Sequence, residues 1–267
     1  MSEGRAPGRR RGRSAGGPAS TSWEQVAGWY DGWVGEQGSR YHRAIAIPAA
    51  LDLLGDVDGQ AVLDVGAGQG VLAPYLVEAG ARYTGVDASR RLIGIARRRH
   101  GAIGRFIVGD ARRLPALADL EPAGYDAAVF CLSIQDMDGL EDVVTGLDWA
   151  LAPRGRVVLV MTHPAFRQPR HSGWGTDEGR KLHVRRIDAY LEPMAVPMKS
   201  LGGGPPTRSF HRPISTYVNA LASVGFATNR MLELPDVTVD AQRDRARARA
   251  EAQIPLFLAL RAVRQPV

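Results

Sequence analysis

Residues 62–76 read VLDVGAGQGVLAPYL. A short apolar run carries Asp64, breaks at Gly66, Gly68 and Gly70, and gives way to a new apolar periodic segment. This is the pattern of a strand, a tight turn and a helix. Glycine admits φ > 0 and lets a ligand approach the main chain, so the turn marks a ligand-binding strand end. A dinucleotide fingerprint needs Gly or Ala at the sixth position from Gly66, where Val71 stands. A phosphate loop needs Gly-Lys-Ser/Thr, and the stretch has none.

Working outward, strand and helix patterns alternate. Strands are expected at 61–65, 83–86, 105–108, 127–131 and 156–161, with helices near 70–79, 89–99 and 139–151. Short apolar strands separated by helices predict a parallel sheet covered on both faces. A helix at 214–223, a strand at 226–234, a polar helix at 242–253 and an apolar strand within 254–263 complete the set. The fold class is therefore α/β, a doubly wound, mostly parallel seven-stranded sheet with an insertion after strand 5. That insertion, 163–213, is rich in Pro, Gly, His, Trp and Arg and is too long for an ordinary loop. Residues 23–59 read as a helical segment in two pieces, broken at GEQGS, 35–39.

The chain has 267 residues, 45% of them hydrophobic and 23% charged. That is enough for one large core. No apolar run approaches the ~20 residues of a membrane span. The first 22 residues lack an apolar signal core and read as a disordered basic tail. The single cysteine, Cys131, excludes an internal disulfide and fits a cytoplasmic location. The net charge of +6 is confined: residues 1–22 hold five Arg and one Glu, and residues 163–213 hold nine Lys or Arg and four acids. The remainder is slightly acidic, which argues against a nucleic-acid partner, since that would want a broad basic face.

Four further stretches follow the glycine motif in order. VDAS (86–89) puts an acid at the end of the second strand, VGDARRLP (108–115) follows the third, YDAAVFCLSIQDMD (125–138) is the fourth strand and its exit, and LAPRGRVVLV (151–160) leads into the fifth. With these, the chain resembles the class I S-adenosylmethionine-dependent methyltransferases, of Rossmann-like methyltransferase fold. The resemblance covers residues 60–162, and more loosely 23–59 and 214–263.

It implies S-adenosyl-L-methionine as cofactor, bound by residues 60–162 and 214–267. The loop of Gly66, Gly68 and Gly70 would underlie the amino acid end, with Asp64 holding loop and ammonium. Asp87, beside Ala88, would accept the ribose hydroxyls. Asp110 would accept from the adenine amino group, with the Ala111 backbone at the ring edge. Cys131 and Leu132 would flank the methionine moiety. Each acid also has a plain structural reading: Asp64 or Asp87 as a helix cap, Asp110 as a turn residue.

Methyl transfer needs alignment of nucleophile and methyl carbon and exclusion of water. Residues 23–59, with Trp29, Tyr30, Trp33, Tyr41 and His42, are expected to form a lid, with Tyr30 contacting cofactor. The insertion 163–213 is expected to bind substrate. His163, directly after the fifth strand, and His211 are the candidate general bases, because histidine titrates near neutrality. Arg170, Arg185 and Arg212 are candidates for clamping an anionic group, and Trp174 for stacking on a flat one. The expected reaction is methyl transfer to O, N or C of a small, anionic or aromatic metabolite, without a metal, in natural-product tailoring for instance. RNA or protein methylation, and S-adenosylmethionine binding without methyl transfer, are the alternatives. The oligomeric state is open, a homodimer included.

Overall fold

The computed structural model describes residues 22–199, 203–238 and 245–266. The basic tail expected over 1–22 lies outside them, apart from Ser22.

The chain opens with α1 (Ala27–Val34), then a π-helical turn (His42–Ala46) that runs into α2 (Ile47–Leu54). The break between them is the Gly35–Ser39 stretch, where Gly35 and Gly38 both have positive φ. Pro48 sits in the first turn of α2, where its missing N–H costs nothing. Ile47, Ala49, Ala50, Leu53 and Leu54 are buried, so α2 presents an apolar face to the sheet.

Strand and helix then alternate: β1 (Ala61–Val65), α3 (Ala73–Glu78), β2 (Arg82–Asp87), α4 (Arg90–His100), β3 (Arg105–Val108), β4 (Tyr125–Cys131), α5 (Leu140–Ala150) and β5 (Leu151–Thr162). The insertion holds β6 (Ser172–Asp177), β7 (Leu182–Ile187), β8 (Met194–Pro197) and β9 (Arg208–His211), and α6 (Ile214–Ser223), β10 (Phe226–Leu234), α7 (Arg245–Gln253) and β11 (Phe257–Arg264) close the chain. Seven strands pair in the order β3–β2–β1–β4–β5–β11–β10. All pairs from β3 to β5 are parallel, and β11 runs antiparallel to both β5 and β10.

Every residue of β1 is buried, as a strand covered on both faces must be. One core cluster packs Leu63, Val65, Phe130, Leu159 and Leu260 beneath α5 and α6; the other packs Val62, Val129, Val158 and Ala259 beneath α2 and α3. Truncating one of these buried leucines to alanine costs about 2–5 kcal/mol.

Chain order reverses between β1 and β4. A crevice opens there beyond the carboxyl ends of the strands, and this is where open α/β sheets bind ligands. In the insertion, β6 and β7 form one hairpin and β8 and β9 another, and neither joins the main sheet. No described helix is long and apolar enough to cross a membrane.

Candidate active site

The end of β1 is pinned from both sides. The N–H groups of Gly66 and Ala67 donate to the Val86 carbonyl, and the Ser133 hydroxyl donates to the Val65 carbonyl at 2.6 Å. Gly66 has φ +77°, and a Cβ there would lie 2.5 Å from Ser133 Cβ. Gly70, at φ +81°, is pressed against the Phe106 ring, 2.8 Å from where its Cβ would be. Both glycines are thus demanded by the protein's own packing. Gly68, at φ +57°, faces the Tyr30 ring at an ordinary 3.8 Å. Gly66 and Gly68 line the crevice, and Gly70 is not among its lining residues.

Asp64 is 2% exposed. Tyr83 Oη donates to its Oδ2 at 2.7 Å, and its Oδ1 has no partner. Burial pushes the Asp64 carboxyl up to about 7, against the Tyr83 hydrogen bond, with the Asp87 charge adding to the rise. Asp87 ends β2 and accepts from Gly68 N–H at 3.0 Å and Ser89 N–H at 2.8 Å. A carboxylate has about four acceptor sites, so two remain for a ligand. Burial raises the Asp87 carboxyl despite those two backbone bonds. Asp110 caps the 3₁₀ turn Ala111–Ala116 through Arg112 N–H. The Arg112 guanidinium grips both its oxygens, at 2.9 and 2.6 Å. Burial opposes ionisation of Asp110, but Arg112 holds it below the usual carboxylate range.

Asp87 and Asp110 open into a cavity of about 870 Å³, and Asp64 is not among its lining residues; the volume lies toward the upper end of the ~300–1,000 Å³ typical of small-molecule sites. Its floor includes Asp87, Ala88, Asp110, Ala111, Cys131, Leu132 and Asp136. Leu132 is held at φ +59°, a conformation that costs a non-glycine residue about 1–2 kcal/mol. Burial raises both the Cys131 thiol and, together with the Asp87 charge, the Asp136 carboxyl, which stands well above its ordinary range.

The roof is aromatic. Trp23, Trp29, Tyr30, Trp33, Tyr41 and His42 all face the cavity. Trp23 meets Tyr30 edge-on at 4.9 Å, and Trp29 stacks on Trp33 at 5.8 Å. Arg99 of α4 holds α1 through a bidentate pair with Asp31. Glu24 accepts from the Ser89 hydroxyl at 2.6 Å.

The insertion behaves differently from expectation. His163 is 1% exposed and absent from the cavity lining. Its Nε2 meets Glu233 at 3.0 Å and its Nδ1 accepts from Ala165 N–H, so both nitrogens are engaged. His211 is buried outside the cavity, bonded to the Tyr190 carbonyl at 2.7 Å. Arg185 donates to the Phe166 carbonyl and the Ser172 hydroxyl, and Arg212 donates to the Met137 carbonyl. Trp174 stacks on His183 at 4.8 Å, and the Arg185 guanidinium carbon lies 5.2 Å from the Trp174 ring centre. Arg170 is exposed. None of these six lines the cavity. The residues the structure brings there instead are His42, Asp136, Arg167 and Gln168. His42 sits in the π-helical turn, with Nδ1 at 2.9 Å from Ser39 Oγ, and burial lowers it to about 4. A two-residue acidic spacing after β4 and the pair after β5 were visible in the sequence, but nothing local marked which of them turn inward.

Sheet order, glycine loop and strand-end acids match those of the class I S-adenosylmethionine-dependent methyltransferases. Residues 62–155 match the family model of a methyltransferase domain. A solved S-adenosylmethionine-dependent methyltransferase from Mesorhizobium loti superposes with TM-score 0.66 at 27% identity, covering 81% of this chain and 96% of that one. Among curated proteins, the ubiquinone biosynthesis O-methyltransferase of Idiomarina loihiensis is 32% identical over 37% of this chain and 41% of its own length. The fatty-acid O-methyltransferase of Mycolicibacterium smegmatis is 46% identical over 43% of this chain and 41% of its own. The chain thus spans less than half the length of these relatives.

The cofactor of the family is S-adenosylmethionine, and the site fits it. Asp87 and Asp136 make the floor acidic, and Arg112, its nearby cation, is consumed by Asp110. Such a floor repels a pyrophosphate and favours a ligand bearing ammonium and sulfonium charges. The orphaned Asp64 Oδ1 is the kind of acceptor an ammonium satisfies, directly or through water. Among the described residues no group of three His, Cys, Asp or Glu side chains gathers to hold a metal.

Proposed function

We propose that this chain transfers the methyl group of S-adenosylmethionine to an oxygen of a small, partly apolar metabolite. The observation that carries this is a cavity with an acidic strand-end floor and an aromatic roof. The floor suits the cofactor's positive charges, and the roof suits an apolar acceptor. Oxygen is favoured because both curated relatives described above are O-methyltransferases.

S-adenosylmethionine supplies an activated methyl group on a good leaving group. The protein has three tasks. Asp87 holds the ribose, the Asp110–Ala111 turn holds the adenine edge, and Gly66, Gly68 and Asp64 hold the amino acid end. The segment 23–59 acts as lid, with Tyr30 over Gly68, and excludes water. Asp136 takes the proton of the acceptor hydroxyl. Its raised affinity for protons makes it a stronger base than an ordinary carboxylate. This role passes to Asp136 from His163 and His211, which are engaged elsewhere. Residues 163–213 shape the acceptor end through Arg167, Gln168 and Arg208.

The test is incubation with methyl-labelled S-adenosylmethionine and a panel of hydroxylated acceptors. S-adenosylhomocysteine should form mole for mole with labelled ether or ester product. Tight cofactor binding with no S-adenosylhomocysteine formed from any acceptor in an extract of the source cells would refute methyl transfer. Label recovered on nitrogen or carbon would refute the choice of oxygen.

A further inference from the structure

Among the described residues, one cation of the cavity has no ion-pair partner. Three arginines line it: Arg112, Arg167 and Arg208. Arg112 is paired with Asp110. Arg208 is exposed to solvent. Arg167 is half-buried, and its Nη1 is buried with no hydrogen-bond partner. Its guanidinium carbon lies 4.7 Å from the Phe257 ring centre and 5.2 Å from that of Tyr41. Those two rings touch each other at 5.5 Å. Such faces hold a cation in place and leave its N–H edge free. Among the described residues no carboxylate lies within ion-pair distance of Arg167. Asp236, the acid whose charge it feels, accepts instead from Thr238.

The next residue repeats the pattern. Gln168 is 3% exposed, lines the same cavity, and has neither Nε2 nor Oε1 satisfied. Buried amides and guanidiniums without partners are rare in folded proteins, because each forfeits its hydration. Two adjacent ones facing one cavity describe a subsite awaiting a ligand.

We propose that Arg167 and Gln168 form a carboxylate-binding subsite, so that the methyl acceptor is a monoanionic carboxylic acid. The guanidinium edge takes the two oxygens and the Gln168 amide takes a second lone pair. A monoanion is specified because Arg167 is the one cation without an ion pair among the described residues on the buried side of this cavity; a phosphate dianion would leave net charge in an apolar surround. The carboxylate serves as the handle, and the Tyr41 and Phe257 rings carry the apolar body of the acceptor. This rests on the methyl-transfer reading. It moves the anion clamp from Arg170, Arg185 and Arg212, which do not reach the cavity, to Arg167.

The test is calorimetric titration of the full chain, saturated with S-adenosylhomocysteine, with two matched pairs: benzoate and benzamide, hexanoate and hexanamide. At least one carboxylate should bind about 10- to 100-fold tighter than its amide, the worth of one charge-assisted bidentate contact. Arg167→Met should abolish that preference and leave Tm unchanged or raised, because it removes a buried unpaired charge. Arg167→Lys should keep part of the preference, since a point charge lacks the fork. Equal binding of acid and amide, no saturable carboxylate binding up to about 10 mM, or a fall in Tm with Arg167→Met would overturn the proposal. Failure of S-adenosylhomocysteine itself to bind would instead break the methyl-transfer reading, whatever the carboxylates do.

Discussion

The floor and the roof of the cavity are built by opposite means. The floor comes from residues 64–138, and its parts are fixed by backbone demands within a few residues of each other. Gly66 turns left-handed directly after β1, Asp87 receives the N–H of a residue two positions on, and Asp110 caps its own turn. The roof joins residues far apart in the chain. Arg167 meets Tyr41 and Phe257, and Glu24 meets Ser89. A floor residue is recognisable by its spacing. A roof residue becomes recognisable only once its partners are known.

If the floor does the chemistry, its one uncommitted carboxylate should matter most. Asp136→Asn is expected to lower kcat by about 10²–10⁴-fold, the usual worth of a positioned base. In the wild type, kcat should rise with pH through the elevated Asp136 titration, because the base works deprotonated. Asp136→Asn should flatten that rise. A pH profile of kcat in both proteins reads this directly, and an unaltered limb in the variant would return the proton to the roof, with His42 first in line.

Next in size is the contrast between two glycines of one loop. Gly66→Ala combines a left-handed φ with a 2.5 Å clash against Ser133, and about 2–5 kcal/mol of destabilisation follows from strain plus overpacking. Gly68→Ala carries only the left-handed penalty, about 1–2 kcal/mol. Its added methyl makes an ordinary contact with Tyr30 at 3.8 Å. Urea unfolding separates the two. Equal losses would mean that Ser133 yields and that the loop is set by ligand approach alone.

The same division governs what could be read from the sequence. β1 (Ala61–Val65), β3 (Arg105–Val108), α6 (Ile214–Ser223) and β10 (Phe226–Leu234) lie where apolar runs and breakers place them. Each is a run of one periodicity bounded by polar residues or glycine. β5 extends back to Leu151, because exposed Pro153 and Arg154 continue the strand beyond its apolar part. The four strands of the insertion gave no clear signal. They pair only with each other as hairpins, stay half exposed, and so need no sustained alternation. His163 and His211 were singled out by residue type and position alone. What type cannot tell is whether a ring nitrogen is already spent, as both of His163's are on Glu233 and Ala165. Arg167 carried no local mark to separate it from Arg170; its burial against Phe257 depends on a strand 90 residues further on.

Asp64 offers a smaller, pH-dependent effect. Its carboxyl is raised from about 4 to about 7 in the folded protein. The folded form then keeps a proton that the unfolded chain loses. This contribution to stability is full below pH about 4 and falls as pH climbs to about 7. A bound ammonium favours the ionised carboxylate, so affinity for S-adenosylhomocysteine should move the other way, rising several-fold from pH 5.5 to 8. Asp64→Asn should remove both slopes. Calorimetry and thermal unfolding across that range check them, and an affinity flat with pH in the wild type would detach Asp64 from the ligand.

The smallest effect tests whether roof and floor move as one. Asp31 on α1 and Arg99 on α4 form a two-point ion pair about a quarter exposed, so their coupling should be about 0.2–1 kcal/mol. The pair holds α1 where Tyr30 covers Gly68. If α1 opens to release product, that coupling belongs to the closed state and is lost on opening. A double-mutant cycle with Asp31→Asn and Arg99→Met should then show it in the dissociation rate of S-adenosylhomocysteine, which speeds up a few-fold, as well as in Tm. If α1 is a fixed part of the core, the coupling survives ligand release. It would then appear in Tm alone, with dissociation unchanged. Stopped-flow displacement distinguishes the two, because only a latch changes the release rate without touching the floor.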